Sequence, residues 1–261
     1  MDLDRQEEKK ALKKKLEGAM LVLALGLCLA VLVYFFLQTF VVASFQIPSD
    51  SMKPTLTEGD NILVNKLVVG GQLFDPFEPE REMVRAPALR KIKRDEVVVF
   101  YFPYCEGWDS LAVDYDRYFV KRCIAIPGDT VPILKGYFPY DTLLSHSIRE
   151  FTTLYLPRKG DTLRMDHRNY LFYHKLIAWE QGMPTAWRDS AFYLNNVPQT
   201  EYRFRKNYYF MAGDNCLNSQ DSRYWGLLPE ELIIGKAFLI WRSKDTDSGK
   251  IRWDRTMKPV R

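Results

Sequence analysis

The chain has 261 residues, a formal net charge of +4 and 47% apolar residues, enough for one sizeable core plus accessory segments. Its Lys and Arg residues are scattered with no sustained basic stripe, which gives no ground for a nucleic-acid partner. Cys28, Cys105, Cys123 and Cys216 form no CxxC pair, and no Cys/His set has zinc-site spacing, so neither a zinc module nor a disulfide framework is indicated. Buried free thiols are the simpler reading, with one bridge among Cys105, Cys123 and Cys216 left open.

From Gly18 to Ser49 there is no charged residue, and Ala19 to Phe45 is mostly Leu, Val, Ala and Phe. A spanning helix needs about 20 such residues, whereas the apolar core of a cleaved leader is only about 7–15. A transmembrane anchor is therefore expected over 18–43, after a basic segment at 1–17. Arg5, Lys9, Lys10, Lys13, Lys14 and Lys15 precede it and only Lys53 and Lys66 follow at comparable distance. The positive-inside rule then puts the N-terminus in the cytoplasm and the rest of the chain outside.

Beyond the anchor, "NILVNKLVV", "DEVVVFYF", "DRYFVKRCIAI", "KNYYFMAG" and "LIIGKAFLIW" are rich in Val, Ile, Phe and Tyr and bounded by turn residues, which reads as strands. No long amphipathic helix stands out there, so the fold class expected is mainly antiparallel β with one N-terminal transmembrane helix. A β core at 44–132 and 207–243 is separated by an irregular, polar insert at 133–206 and followed by a tail at 244–261. Gly70 to Arg94, rich in Pro and charge, reads as an exposed loop.

His146, His167 and His174 all fall in the insert, which argues for packing or surface roles and against a His-based triad or metal site. A serine nucleophile then needs another base, and Ser-Lys pairing is one variant of triad logic. The lysine must be neutral: bringing it from about 10.4 to about 7–8 corresponds to about 4 kcal/mol, and burial among apolar groups is the means. Lys121 in "YFVKRCIAI" meets that demand, sharing its strand face with Phe119, Cys123 and Ala125 while Arg122 points away. Lys66 and Lys236 have comparable surroundings, and composition alone does not choose among the three. In "PSDSMKP" two prolines bracket Ser49, Asp50 and Ser51. The prolines suit a rigid mount for a nucleophile, but on residue chemistry alone the ordinary turn with local hydrogen bonds is the favoured reading.

Three segments in order behind an anchor, "QIPSDSMKPTL…GD", "FVKRCIAIPGD" and "GDNCLNSQDSRYWGLLPE", resemble the boxes of bacterial type I signal peptidase, a serine protease with a Ser-Lys dyad. The resemblance implies Ser51 as nucleophile, Lys121 as general base, and Ser49 with the Ser51 N–H as oxyanion hole. It further implies Ser219 orienting the lysine, Asp221 and Arg223 as a supporting pair, and Asp214 in a turn that holds the loop. Phe45, Ile47, Pro48, Met52 and Val120 would line or flank shallow pockets for small side chains at −1 and −3. Cys216 stands where the family often has arginine, removing a charge from that loop. The implied partners are preprotein signal peptides and the lipid bilayer of the bacterial inner membrane, with the catalytic domain on its outer side. No metal or cofactor is implied, and oligomeric state is left open. A paralogue dedicated to one or few substrates, or a non-enzymatic membrane-tethered β module, are the alternatives.

Overall fold

The structure, a computed structural model, describes residues 2–73, 84–104, 111–132 and 153–261. The charged leader and the apolar run form one helix, α1 (Asp2–Phe40). Within it Lys14–Phe40 is long and apolar enough to cross a membrane, rising about 40 Å against a hydrocarbon layer of about 30 Å. Its Leu, Val and Phe side chains are exposed on all faces. The helix stops before the expected boundary at residue 43. Lys66 Nζ donates to the carbonyls of Gln38 and Thr39 at 3.1 and 3.0 Å, placing a cation on the unpaired end of the helix. Val42 already opens the first strand.

In chain order the described strands are β1 (Val42–Gln46), β2 (Asp60–Asn65), β3 (Gln72–Leu73), β4 (Val84–Arg85), β5 (Val97–Tyr104), β6 (Leu111–Ala125), β7 (Thr130–Pro132), β8 (Thr153–Tyr155), β9 (Thr162–Arg164), β10 (Thr185–Arg188), β11 (Ala191–Leu194), β12 (Val197–Gln199), β13 (Glu201–Arg203), β14 (Tyr208–Ala212), β15 (Leu228–Pro229), β16 (Ile233–Ser243) and β17 (Lys258–Pro259). The large sheet runs β1-β2-β16-β5-β6-β14-β15, with β17 added to β16, and its pairings are antiparallel. Each of the five apolar runs singled out in the sequence supplies a strand of this sheet: β2, β5, β6, β14 and β16.

The sheet is buried on both faces, which explains why its central strand is apolar throughout rather than alternating. On β5, Val97 and Val99 join Ile47, Met52, Ile62, Val64, Val120 and Ile234 in one apolar layer. Val98, Phe100 and Phe102 join Cys123, Tyr208, Tyr209, Met211 and Trp225 in the other.

The described part of the insert is not irregular. It carries α2 (His167–Gln181), started by the Asp166 side chain accepting from the Asn169 N–H at 2.8 Å and ended by Gly182 at φ 62°, the left-handed cap that glycine favours. Tyr173, Leu176 and Ile177 on this helix pack into the same layer as β14. Glu180 at its end accepts from the Tyr202 and Tyr208 hydroxyls and the Arg205 and Lys206 N–H groups, tying the insert to the start of β14. His167 packs against Trp187 and His174 stacks on Tyr170. His146, residues 133–152 generally, Cys105 and residues 74–83 of the expected loop lie outside the described residues.

The segment after β16 is fastened to the sheet by a buried charge. Asp60, fully buried, accepts from Ser243 Oγ at 2.6 Å, Arg255 Nη2 at 2.6 Å and the Thr57 N–H at 2.9 Å. Burial pushes its carboxyl up, but the Arg255 and Ser243 bonds outweigh that and hold it below the usual range. The carboxylate's contribution to stability is therefore full above the unfolded-state value and is lost as pH falls through the lower folded-state value. Arg255→Ala leaves the charge buried without its main partner, a loss of about 3–5 kcal/mol. The expected outcome is a melting temperature lower by about 10 °C for the detergent-solubilised chain, and an unchanged one contradicts this account.

Candidate active site

Ser51 sits in the segment that connects β1 to its antiparallel neighbour β2 in the same sheet. Met52 and Leu56, fully buried, anchor the turn, and the Leu56 N–H donates to the Met52 carbonyl at 2.9 Å. Ser51 is thus left at the surface on a fixed base.

Lys121 comes from the middle of β6 and is 4% exposed. Its neighbours on that face are those expected: Cys123 and Ala125 are in the apolar layer and Phe119 packs on it, with Lys121 Nζ 5.4 Å from the Phe119 ring centre. Nζ lies 2.5 Å from Ser51 Oγ. Burial pushes the ammonium down to about 8; nearby Asp221 and Asp214 oppose the shift and Arg223 adds to it. The two other lysines that composition could not set aside are engaged elsewhere. Lys66 caps α1, and Lys236 pairs with Glu96 at 3.0 Å.

The third element is the segment after β14. The Gly213 N–H donates to Asp221 Oδ2 at 2.9 Å, and the Asn215 N–H donates to the Ser51 carbonyl at 3.0 Å. Asn215 Nδ2 reaches the Asp50 carbonyl at 3.3 Å. A Cβ at Gly213 would lie 2.2 Å from Ser219 Oγ and 2.5 Å from the Ser51 carbonyl oxygen, so only glycine lets the two loops close on each other. Ser219, buried, donates to Asp221 Oδ2 at 2.7 Å. Its hydroxyl lies beside the dyad with lone pairs to offer, and its own proton is committed to Asp221. Arg223 grips both Asp221 oxygens at 2.8 and 2.7 Å. Burial raises the Asp221 carboxyl, and the bonds from Arg223, Gly213 and Ser219 more than offset it. Asp214 is gripped in the same two-pronged way by Arg122 at 2.7 Å on each oxygen. Arg122 also donates to Thr55 Oγ1 at 3.1 Å.

These elements enclose an open cleft of about 500 Å³, lined by Ile47, Pro48, Ser49, Asp50, Ser51, Met52, Tyr118, Phe119, Val120, Lys121, Leu217, Asn218, Ser219, Gln220 and Tyr224. Of the expected pocket residues, Ile47, Pro48, Met52 and Val120 line it. Phe45 stands one shell back, its ring 4.7 Å from that of Tyr118. Asp214, Asp221 and Arg223 lie behind the wall. Among the described residues, neither the Ser51 N–H nor Ser49 Oγ donates a hydrogen bond within the protein.

Sequence reasoning missed Tyr118, whose hydroxyl donates to the Gln46 carbonyl at 2.9 Å, and the Arg122–Asp214 pair. Alternation along β6 could place Arg122 off the lysine face but could not find a partner 92 residues away. Cys123 and Cys216 are free thiols, one buried and one exposed. Arg223 Nη2 donates to the Cys216 carbonyl at 3.0 Å.

The strand pairing leaves two edges facing the cleft. β14 joins β6 only from Arg122 onward, so Tyr118–Lys121 is paired on one side only, with β5. β1 is the terminal strand of the sheet. The Tyr118 hydroxyl and the Gln46 carbonyl link these two strands at 2.9 Å, and the cleft that holds Ser51 and Lys121 is lined by residues of β6 and of the segment just after β1.

Comparison with known proteins gives the same direction. The model of the family described as signal peptidase, peptidase S26, matches residues 20–242. Signal peptidase I of Pseudomonas fluorescens is 32% identical over 224 residues, covering 79% of this chain and 67% of that protein. Signal peptidase I of Aquifex aeolicus is 31% identical over 245 residues, covering 83% and 82%. That of Buchnera aphidicola from Acyrthosiphon pisum is 29% identical over 250 residues, covering 84% and 74%. With the family model spanning most of the chain, this protein belongs to the signal peptidases of peptidase family S26 and is a serine peptidase carrying an N-terminal helix fit to anchor it in a membrane.

Proposed function

We propose that this chain is a membrane-anchored endopeptidase that removes N-terminal signal peptides from exported preproteins, cleaving after small residues by a Ser51–Lys121 dyad through an acyl-enzyme. The observation that carries the reading is the 2.5 Å contact between Lys121 Nζ and Ser51 Oγ for a lysine that burial brings to about 8. An amine in that range is a sizeable fraction neutral at working pH, as a general base must be.

The substrate's extended segment adds as a strand between the open edges of β1 and β6, with its −1 and −3 side chains on the wall of Ile47, Pro48, Met52 and Val120. Lys121 takes the Ser51 proton as Oγ attacks the −1 carbonyl. The Ser51 N–H and the Ser49 hydroxyl, both uncommitted, stabilise the oxyanion, each donor worth about 3 kcal/mol. On collapse the C–N bond breaks, and the Lys121 ammonium returns its proton to the leaving amine. A water then gives its proton to Lys121 and attacks the acyl carbon, and Lys121 returns the proton to Ser51 as the ester bond breaks. Ser219, whose hydroxyl donates to Asp221 and which lines the same cleft, is assigned to orienting the lysine during the reaction.

The bilayer sets the height of this chemistry. Ser51 lies eleven residues past the end of α1 at Phe40, so the nucleophile stays close to the membrane surface. A signal peptide, itself an apolar helix followed by a short extended segment, presents its scissile bond at similar depth. Trp241, partly exposed on β16, donates to Ser44 Oγ at 2.9 Å, a position that suits an interfacial tryptophan. The cluster of lysines before the anchor puts the N-terminus in the cytoplasm and the cleft on the outer side of a bacterial inner membrane.

Three outcomes follow. Ser51→Ala and Lys121→Ala each lower kcat/KM on a purified preprotein by at least about 10³-fold; either variant keeping a tenth of the activity rules the dyad out. The acid limb of the kcat/KM profile rises with pH through an apparent value of about 8, because the protonated lysine cannot accept the Ser51 proton; a rate flat from pH 6 to pH 9 excludes Lys121 as the base. Gly213→Ala forces Ser219 or the Ser51 turn aside and lowers kcat by about 100-fold, with circular dichroism unchanged. Full activity in that variant removes the case for a close approach of the two loops.

A further inference from the structure

Leu217 stands at the tip of the short turn Cys216–Asn218 and is 99% exposed. It is the most exposed of the large apolar residues in the described part of the chain, and it lines the same cleft as Ser51 and Lys121. The turn that carries it is held in place. The Asn218 N–H donates to the Asn215 carbonyl, and the Asn215 N–H donates to the carbonyl of the nucleophile itself, each at 3.0 Å. Arg223 Nη2 fixes the Cys216 carbonyl at 3.0 Å. An apolar side chain presented to water on a backbone so constrained contributes nothing to the core, and covering it is favourable.

We infer that Leu217 is a specificity-determining residue, which contacts an apolar side chain of the substrate just after the scissile bond. The inference rests on the peptidase reading above and goes further by giving a role to the wall opposite the −1 and −3 pockets. The two walls of the cleft come from different elements. Ile47, Tyr118 and Val120 form the strand-side wall, to which the residues before the cleaved bond are assigned. Leu217 stands on the loop-side wall with Asn218, Ser219 and Gln220, and the chain leading into the mature protein is assigned to that wall. With Cys216 and Asn218 as its sequence neighbours, that tip is uncharged, so an apolar side chain meets it without stranding an ion. The occupant is the substrate rather than lipid because the side chain is part of the catalytic cleft.

The test uses the full-length enzyme in detergent and matched peptides that are identical up to residue −1. These carry leucine or serine at +1, +2 or +3 in turn. The wild type cleaves the leucine peptide at one of these positions with kcat/KM about three- to tenfold above its serine counterpart, chiefly through KM. Leu217→Asp brings that ratio to one or below, and Leu217→Met retains it. A leucine-to-serine ratio at all three positions that is the same in wild type and Leu217→Asp overturns the assignment, as does an equal loss on every peptide, which a structural effect alone produces. Unchanged ratios with weaker binding of Leu217→Asp to lipid vesicles assign the side chain to the membrane instead and equally overturn it. Failure of the wild type to cleave any of the peptides, or cleavage by Ser51→Ala, counts against the peptidase reading itself rather than against Leu217 alone.

Discussion

A lysine that apolar packing makes far easier to deprotonate is the constraint on which the rest of this structure turns. At neutral pH, holding Lys121 at about 8 rather than 10.5 costs the folded state about 3 kcal/mol. The cost is felt below about pH 8, where the unfolded chain's lysine is charged, and it disappears above 10.5, where both states are neutral. The sheet offsets it by being buried on both faces. A strand exposed on one side would let the ammonium reach water and remain charged. With Phe119, Cys123 and Ala125 on its own face, Lys121 has the serine hydroxyl as its hydrogen-bond acceptor. The ion pairs nearby are arranged so as not to undo this. Asp221 and Asp214 would each favour the charged lysine, but both are neutralised by two-pronged arginines, Arg223 and Arg122. Their carboxylates therefore serve the loops, while Arg223 offsets part of their pull on Nζ.

Those loops supply the second requirement, which is position. The proposed nucleophile, base and supporting serine come from three separate parts of the chain, and Gly213 is where the Ser51 and Ser219 segments meet. Its missing side chain lets the Ser51 carbonyl and Ser219 approach within a space that any methyl would fill. Asn215 then clamps the nucleophile's own carbonyl. Among the described residues the Ser51 N–H donates no hydrogen bond, which suits the oxyanion role proposed for it. On the far side, the Glu180 hub fastens the insert to β14, the strand that leads directly into Gly213.

Much of the fold was legible because its strands are buried twice over. Runs such as "DEVVVFYF" have no helical period and few polar residues, and they became the centre of the sheet. The anchor was legible for the same reason of composition, although its end was misplaced by three residues because Val42 and Ala43 are as apolar as the helix before them. Helix α2 went unseen. Tyr170, His174 and Trp179 mix polar and apolar character on every face, so no clean period emerges, yet Asp166 and Gly182 marked its two ends. In the site, Ser51 became distinguishable from an ordinary turn residue, and Lys121 from the other strand lysines, only through the ordered set of boxes. Composition ranked Lys66 and Lys236 with Lys121, and what separates the three is long-range: a helix end, a glutamate and a serine hydroxyl. The Arg122–Asp214 pair and the role of Tyr118 as a cleft wall were beyond any local pattern for the same reason.

The central claim is that burial makes Lys121 a base, and the protonation of its side chain can be followed directly. Heteronuclear NMR titration of lysine side chains labelled with carbon-13 and nitrogen-15, in detergent micelles and with the Lys121 signal assigned by its loss in Lys121→Arg, reports that equilibrium without reference to turnover. The account predicts a midpoint near 8. A Lys121 signal that titrates near the ordinary lysine value of about 10.4 would contradict it, because the amine would then be charged in nearly every molecule at the pH where the dyad has to work.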